Sequence, residues 1–186
     1  MLEFNMIETH PFGNFIPSNI KYLLLGSFTA KSVDSDTEYD WFYASKRNQF
    51  WPIIEKVYNI DLHNKSSKVK LYENLSIGIA DIIYQCERRN GSSLDNNLVN
   101  IVYNPELERI LQCKLKSIFF TSRFVEKLYR KAFKKLIEEF TTVELITLPS
   151  PSPRYAAMSK EEKISKYKEL LPELKPEHRK HFSSLK

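Results

Sequence analysis

Ile20-Lys-Tyr-Leu-Leu-Leu-Gly26 is the stretch from which the fold is read: a short apolar run stopped by glycine, the pattern of a strand buried on both faces. Working outward, three more segments read as strands: Ser76–Tyr84, Lys116–Thr121 and Val143–Leu148, the last ended by the proline run Pro149–Pro153. Helical spacing of apolar residues predicts a helix over Asn48–Tyr58 and a shorter one over Ser67–Asn74. Asn104-Pro105-Glu106 reads as an N-cap with proline at the first helical position, opening a helix to Gln112. Phe124–Phe140 reads as one long amphipathic helix, and Ser159 with Glu162 as a capping box for a helix through Leu171. Thr29–Asp40 and Cys86–Asn97 are polar enough to be loops. Strands alternating with helices predict an α/β fold: βαβ units, right-handed crossovers and a mainly parallel four-stranded sheet covered on both faces. Residues 1–172 are expected to form one domain, and the basic, proline-containing residues 173–186 a partly disordered tail.

With 186 residues, 42% of them hydrophobic and 13% aromatic, the chain can bury a full core and is not generally disordered. Lysine and arginine number 28 against 23 acids, a net charge of +5 that leans toward an anionic partner. Cys86 and Cys113 lie far apart without paired spacing, which argues against a disulfide scaffold or a four-ligand zinc site and for a reduced interior. No segment reads as a signal core or a membrane span, so a cytoplasmic protein without a membrane partner is expected. Of the histidines His10, His63, His178 and His181, only the last two have ligand-like spacing, and no third ligand accompanies them.

In such sheets the site lies beyond the carboxyl ends of the strands. The two most distinctive loops, Gly26–Ser32 and Pro149–Tyr155, both fall there. Gly26-Ser-Phe-Thr-Ala-Lys-Ser32 is one residue short of a phosphate-binding P-loop and has Ala30 where a glycine is needed. It reads better as backbone amides facing a ligand, with Phe28 offering a stacking face. Prolines at 149, 151 and 153 stiffen the second loop, which carries small hydroxyl residues able to approach a phosphate backbone. Tyr43-Ala-Ser-Lys-Arg-Asn-Gln-Phe-Trp51 combines stacking surfaces, cations and amides without an acid, a set that suits a base attached to a polyanion. Phe50 onward reads as helix core, and Tyr43–Asn48 as the functional part. Lys127, Arg130, Lys131 and Lys134 form a basic face opposite Val125, Leu128, Ala132 and Leu136, best read as a solvated surface. Arg88-Arg89, after the second strand, is better placed for phosphate.

Four segments together resemble the uracil-DNA glycosylase superfamily, and most closely its hypoxanthine-DNA glycosylase branch. They are His10-Pro-Phe12 with Ile16-Pro17 leading into Leu23-Leu-Leu-Gly-Ser-Phe28, and Tyr43 followed by Arg47-Asn48-Gln49-Phe50-Trp51. The others are Gly78-Ile-Ala-Asp81 through Cys86-Glu-Arg88 with Ser93-Leu-Asp95, and Leu148-Pro-Ser-Pro-Ser-Pro153. The chain departs from the family pattern at Thr29-Ala30, where a proline is common, and at Pro151, where threonine is usual. The resemblance implies a three-layer α/β/α sandwich and a monomeric, monofunctional glycosylase that needs no metal or other cofactor and removes a deaminated base, hypoxanthine or uracil, from DNA during base excision repair. It implies a base pocket of Gly26, Ser27, Phe28, Tyr43 and Asp81, with Asn48 as the catalytic residue. Arg47, Arg88, Ser150, Pro151, Ser152, Pro153 and Arg154 would face DNA.

N-glycosidic hydrolysis develops positive charge on the sugar and negative charge on the leaving base. Backbone amides of Ser27 and Phe28 are expected to bond the departing base, and Asn48 to orient the water or hold the base edge. The acids Asp34, Asp36, Glu38 and Asp40 read as solvated, and Lys31 as no lyase nucleophile. Two other classes remain open: a catalytically weak nucleic-acid-binding protein, and an enzyme acting on free nucleosides or nucleotides.

Overall fold

In a computed structural model of the chain, residues 7–29, 41–89, 97–180 and 182 are described. Strand β2 (Tyr22–Gly26) is the spine, with Leu23, Leu24 and Leu25 all fully buried. Because side chains alternate across a strand, Leu24 enters one apolar cluster while Leu23 and Leu25 enter another on the opposite face. Strands β3 (Ile77–Asp81), β6 (Ser117–Phe120) and β7 (Glu144–Thr147) join β2 in a sheet of order β3-β2-β6-β7, every pairing parallel. Phe119 faces the first cluster, Ile118 and Phe120 the second.

The first face is covered by α1 (Phe50–Tyr58), α2 (Lys65–Leu75) and α6 (Lys160–Leu170). These bring Phe50, Trp51, Ile54, Tyr72 and Tyr167 against the sheet. Helix α2 starts ahead of the expected Ser67 because Asn64 Oδ1 accepts the Ser67 N–H at 2.9 Å, a cap that fixes the first turn. At α6 the Ser159–Glu162 capping box is formed as the sequence predicts. Leu174 and Phe182 also pack into this face, on either side of the short helix α7 (Pro176–Arg179). The second face is covered by α3 (Leu107–Leu111) and α4 (Arg123–Ala132) through Leu107, Ile110, Val125 and Tyr129. The predicted α/β/α layering around a four-stranded parallel sheet is therefore the observed architecture.

Several boundaries differ from the sequence reading, for physical reasons. The Ser76–Tyr84 run is not one strand. After Asp81 the chain is pinned to the end of β2 by Ile82 N–H to Gly26 O (2.9 Å) and Ile83 N–H to Ser27 O (3.0 Å), and it then leaves the sheet. It continues as β4 (Ile83–Arg88), so Cys86–Arg88 is strand rather than loop. With β1 (Ile7–Thr9) and β5 (Leu98–Tyr103), β4 makes a separate antiparallel sheet of order β1-β4-β5 that the sequence reading lacked. The long helix Phe124–Phe140 is two: α4 ends at Phe133 (φ −116°, ψ 31°), and α5 (Lys134–Glu139) follows. Phe133 is itself buried, stacking on Tyr129 at 5.4 Å and meeting the edge of Tyr103 at 6.1 Å, so the break aims a ring inward. Ala132, assigned to the apolar face, is exposed at the last position of α4. The helix expected from Asn104 begins at Leu107, since Asn104 Oδ1 accepts the Glu106 N–H in a turn ahead of it.

Leu24 is where the first helical layer meets the sheet. Leu24→Ala should lower unfolding stability by about 2–5 kcal/mol, read as a reduced urea midpoint with an unchanged slope.

Candidate active site

The strand order turns back on itself at β2: the chain moves to β3 on one side and then to β6 and β7 on the other. The crevice outside the carboxyl ends at such a reversal is where open α/β sheets bind ligands. Here it contains Gly26, paired in register with Asp81, and Thr121, whose N–H bonds Leu25 O at 3.1 Å. Into the same place comes Tyr43, from the segment ahead of α1. Its backbone is left-handed (φ 56°), an uncommon state for a bulky residue. Its ring stacks on Phe50 with centroids 4.3 Å apart, and its hydroxyl donates to Thr121 Oγ1 at 3.2 Å. Gly26 is required by this convergence. A Cβ there would run into both the Asp81 carboxylate and the Tyr43 hydroxyl.

The Asp81 carboxylate is 2% exposed, and one oxygen, Oδ2, accepts from His10 Nε2 and from Thr29 Oγ1, each at 2.8 Å. His10 Nδ1 lies 2.7 Å from Phe12 O. A neutral imidazole donates from one nitrogen only, so the charged ring is the form that satisfies both oxygens. Phe12 N also approaches Nδ1, at a longer 3.2 Å, a contact that suits only the unprotonated nitrogen. Burial by itself pushes the His10 pKa down. The hydrogen bond to Asp81, the charge of that carboxylate and the Phe12 carbonyl outweigh it, and the net shift is upward from 6.5. Phe28 sits against this pair, edge-on to His10 at 5.9 Å, with the Arg88 guanidinium 5.7 Å from its ring centre.

Asn48 lies just ahead of α1. Its Oδ1 accepts the Phe50 N–H at 2.9 Å, which satisfies one orphan donor of the helix and fixes which way the amide points. What Asn48 offers a ligand is its Nδ2 amide hydrogens and the remaining lone pair of Oδ1. Arg47 is exposed beside it. In the proline loop Pro151 is buried while Pro153 and Arg154 are exposed. The hydroxyls of Ser150 and Ser152 accept the N–H groups of Ser152 and Arg154, each at 3.3 Å, in successive local turns. Arg88 is at the end of β4 and only 11% exposed, its Nε bonded to Glu8 Oε1 at 2.7 Å. The structure thus brings Gly26, Tyr43 and Asp81 together, puts Phe28 beside Asp81 through His10, and joins Asn48 to Tyr43 through Phe50. Arg88 is turned toward Glu8 and Phe28. Lys31, the acids Asp34, Asp36, Glu38 and Asp40, the segment Ser93–Asp95 and His181 lie outside the described residues. Among the described residues no group of three or more His, Cys, Asp or Glu side chains could hold a metal ion.

Sequence reasoning gave no role to His10, Thr29 or Thr121. His10 was visible only as part of His10-Pro-Phe12, and nothing in one sequence pairs it with an aspartate 71 residues away. On the basic face, Arg130 pairs with Glu126 and Lys134 with Glu138, as a solvated surface would.

A doubly covered parallel sheet with a polar crevice at its reversal point defines the class of fold. Among solved structures, the chain is similar to an NMR structure from Methanosarcina acetivorans described as a "putative Uracil DNA glycosylase". The two share 22% identity over 89% of this chain and 96% of the other, with a TM-score of 0.66. At that identity the likeness establishes the fold. No family model and no curated protein sequence matches the chain.

Gly26→Ala should destabilise the protein by about 1–3 kcal/mol through overpacking, with the thermal midpoint as the readout. The pKa of His10 is raised in the folded state, so the stabilisation from its bond to Asp81 is complete below the ordinary value of 6.5 and is lost as the pH climbs above it through the raised folded pKa. His10→Gln should therefore cost about 1–3 kcal/mol near pH 6. The gap between the two denaturation curves should narrow as the pH is raised; a gap independent of pH would rule out the charged pair.

Proposed function

We propose that the chain is a monofunctional DNA glycosylase of the uracil-DNA glycosylase superfamily, acting on a deaminated base, hypoxanthine or uracil, flipped out of DNA. The observation that carries this reading is the convergence of Asp81, Tyr43 and Thr121 on a side-chain-free Gly26 at the sheet's reversal point. It is supported by the shared fold with the Methanosarcina protein and by the four matching segments.

In this reading water adds to C1′ of the flipped nucleotide, the C1′–N bond breaks, and its electron pair leaves with the base, which is then protonated. Ser27 and Phe28, at the end of β2, offer backbone N–H groups where that negative charge develops. Asn48 contributes chiefly by donation: with one Oδ1 lone pair used by the Phe50 N–H, which fixes the amide's direction, its Nδ2 hydrogens hold the water oxygen or a carbonyl on the base edge. An amide is a poor proton acceptor, so positioning rather than base catalysis is its part, and modest turnover follows. Tyr43, wedged between Phe50 and Thr121, forms a rigid wall of the pocket. The proline loop, with Arg154, and the exposed Arg47 meet the phosphate backbone.

The test is excision from duplexes containing hypoxanthine, uracil, xanthine or a mismatch, with alkali to convert abasic sites to nicks. The parent should nick at least one deaminated base, and Asn48→Ala should be slower by about 10²-fold or more. A parent that binds every duplex, with affinity falling steeply as salt rises, yet leaves every base in place would be a binding protein instead.

A further inference from the structure

The proline loop faces an anchoring problem. Pro149, Pro151 and Pro153 have no N–H, and the N–H groups of Ser152 and Arg154 are taken by the hydroxyls two residues earlier. Its carbonyl oxygens are therefore the backbone groups best able to fasten the loop to the rest of the protein. Three of them accept such bonds, all from the first helical layer. Pro149 O accepts from the Tyr167 hydroxyl at 2.9 Å, Pro151 O from Gln49 N–H at 3.1 Å, and Ser152 O from Lys163 Nζ at 3.2 Å.

Lys163 differs from the other two donors. It is 2% exposed, and its ammonium also donates to Gln49 Oε1 at 3.1 Å, with the Tyr155 ring centre 5.4 Å away. Both hydrogen-bond acceptors are uncharged. Its sequence neighbour Glu162 is exposed and engaged in the α6 capping box. An ammonium bonded only to neutral oxygens in a buried place is costly to keep, and desolvation lowers its pKa from 10.5. What it does there is join two segments at once: Gln49, the residue after Asn48, and the middle of the proline loop.

We propose that Lys163 is a positioning residue that locks the proline loop to the start of α1, so that the DNA-facing loop and Asn48 move as one unit. This rests on the glycosylase reading for its effect on rate, while its effect on the loop stands on the bonds alone. A grip on the phosphate backbone through the loop is then transmitted to the catalytic amide through the two Lys163 hydrogen bonds, which reinforce the single backbone bond from Gln49 N–H to Pro151 O.

The test uses the full chain, Lys163→Met, Gln49→Leu and the double variant. Three quantities are measured: the Kd for a duplex carrying a tetrahydrofuran abasic-site analogue, the single-turnover excision rate, and amide hydrogen exchange. Lys163→Met should weaken the Kd and slow excision by about tenfold each, and speed exchange around the proline loop while amides of β2 and β6 keep their parental rates. Gln49→Leu should do the same, and the double variant should be little worse than either single one, because both break one linkage. Parental Kd and loop exchange in Lys163→Met would overturn the proposal. So would core amides that exchange as fast as the loop, which marks a merely structural role, or single-variant effects that multiply in the double. If the parent excises no base, the glycosylase reading fails while the Kd and exchange measurements still decide the role of Lys163.

Discussion

Everything in this molecule hangs from a strand that has no solvent-facing side. Leu23, Leu24 and Leu25 are fully buried, and their alternation splits them between two apolar clusters that do not share a face of the sheet. A strand buried on both sides needs a helical layer above and another below, which commits the chain to three layers. It also needs neighbours on both edges, which β3 and β6 provide. Once β3 lies on one edge and β6 on the other, the crevice at their carboxyl ends is a consequence of connectivity. The side chains found there, Asp81, Tyr43 and Thr121, are fitted around a residue that has none.

Strands β2, β3 and β6 were legible in the sequence because a doubly buried parallel strand needs a run of apolar residues, while the partly buried edge strand β7 was marked by the proline run that ends it. The break after Asp81 was not legible, because Ile82 and Ile83 are as apolar as the strand they leave and fully buried themselves. What turns the chain is a pair of hydrogen bonds to the carbonyls of Gly26 and Ser27, acceptors 55 or more positions earlier that no local pattern can announce. Phe133 hid in the same way. At helical spacing it continues a stripe, and it packs against Tyr103 and Tyr129 as such a stripe would, so nothing in the spacing marks the break.

Within the crevice the division is similar. Gly26, Tyr43 and Asn48 could be singled out because their chemistry is unusual for their position in the chain. His10, Thr29 and Thr121 could not, because their importance lies in whom they touch. Asn48 shows how much the local detail matters: one helix N–H takes a lone pair of its oxygen and fixes which way its amide hydrogens point. The carboxylate of Asp81 is a parallel case, since one of its oxygens is occupied twice before any ligand arrives.

The proline loop is fastened by its carbonyls, and a carbonyl is common to all twenty residue types. Its shape is thus largely independent of the letters on its outer side. At Pro153 and Arg154, which project outward, substitutions can accumulate without disturbing how the loop sits. Such a loop is a stage on which contacts can be exchanged one at a time, so preference for a strand context or a lesion could drift, or be engineered, while the fold beneath holds still.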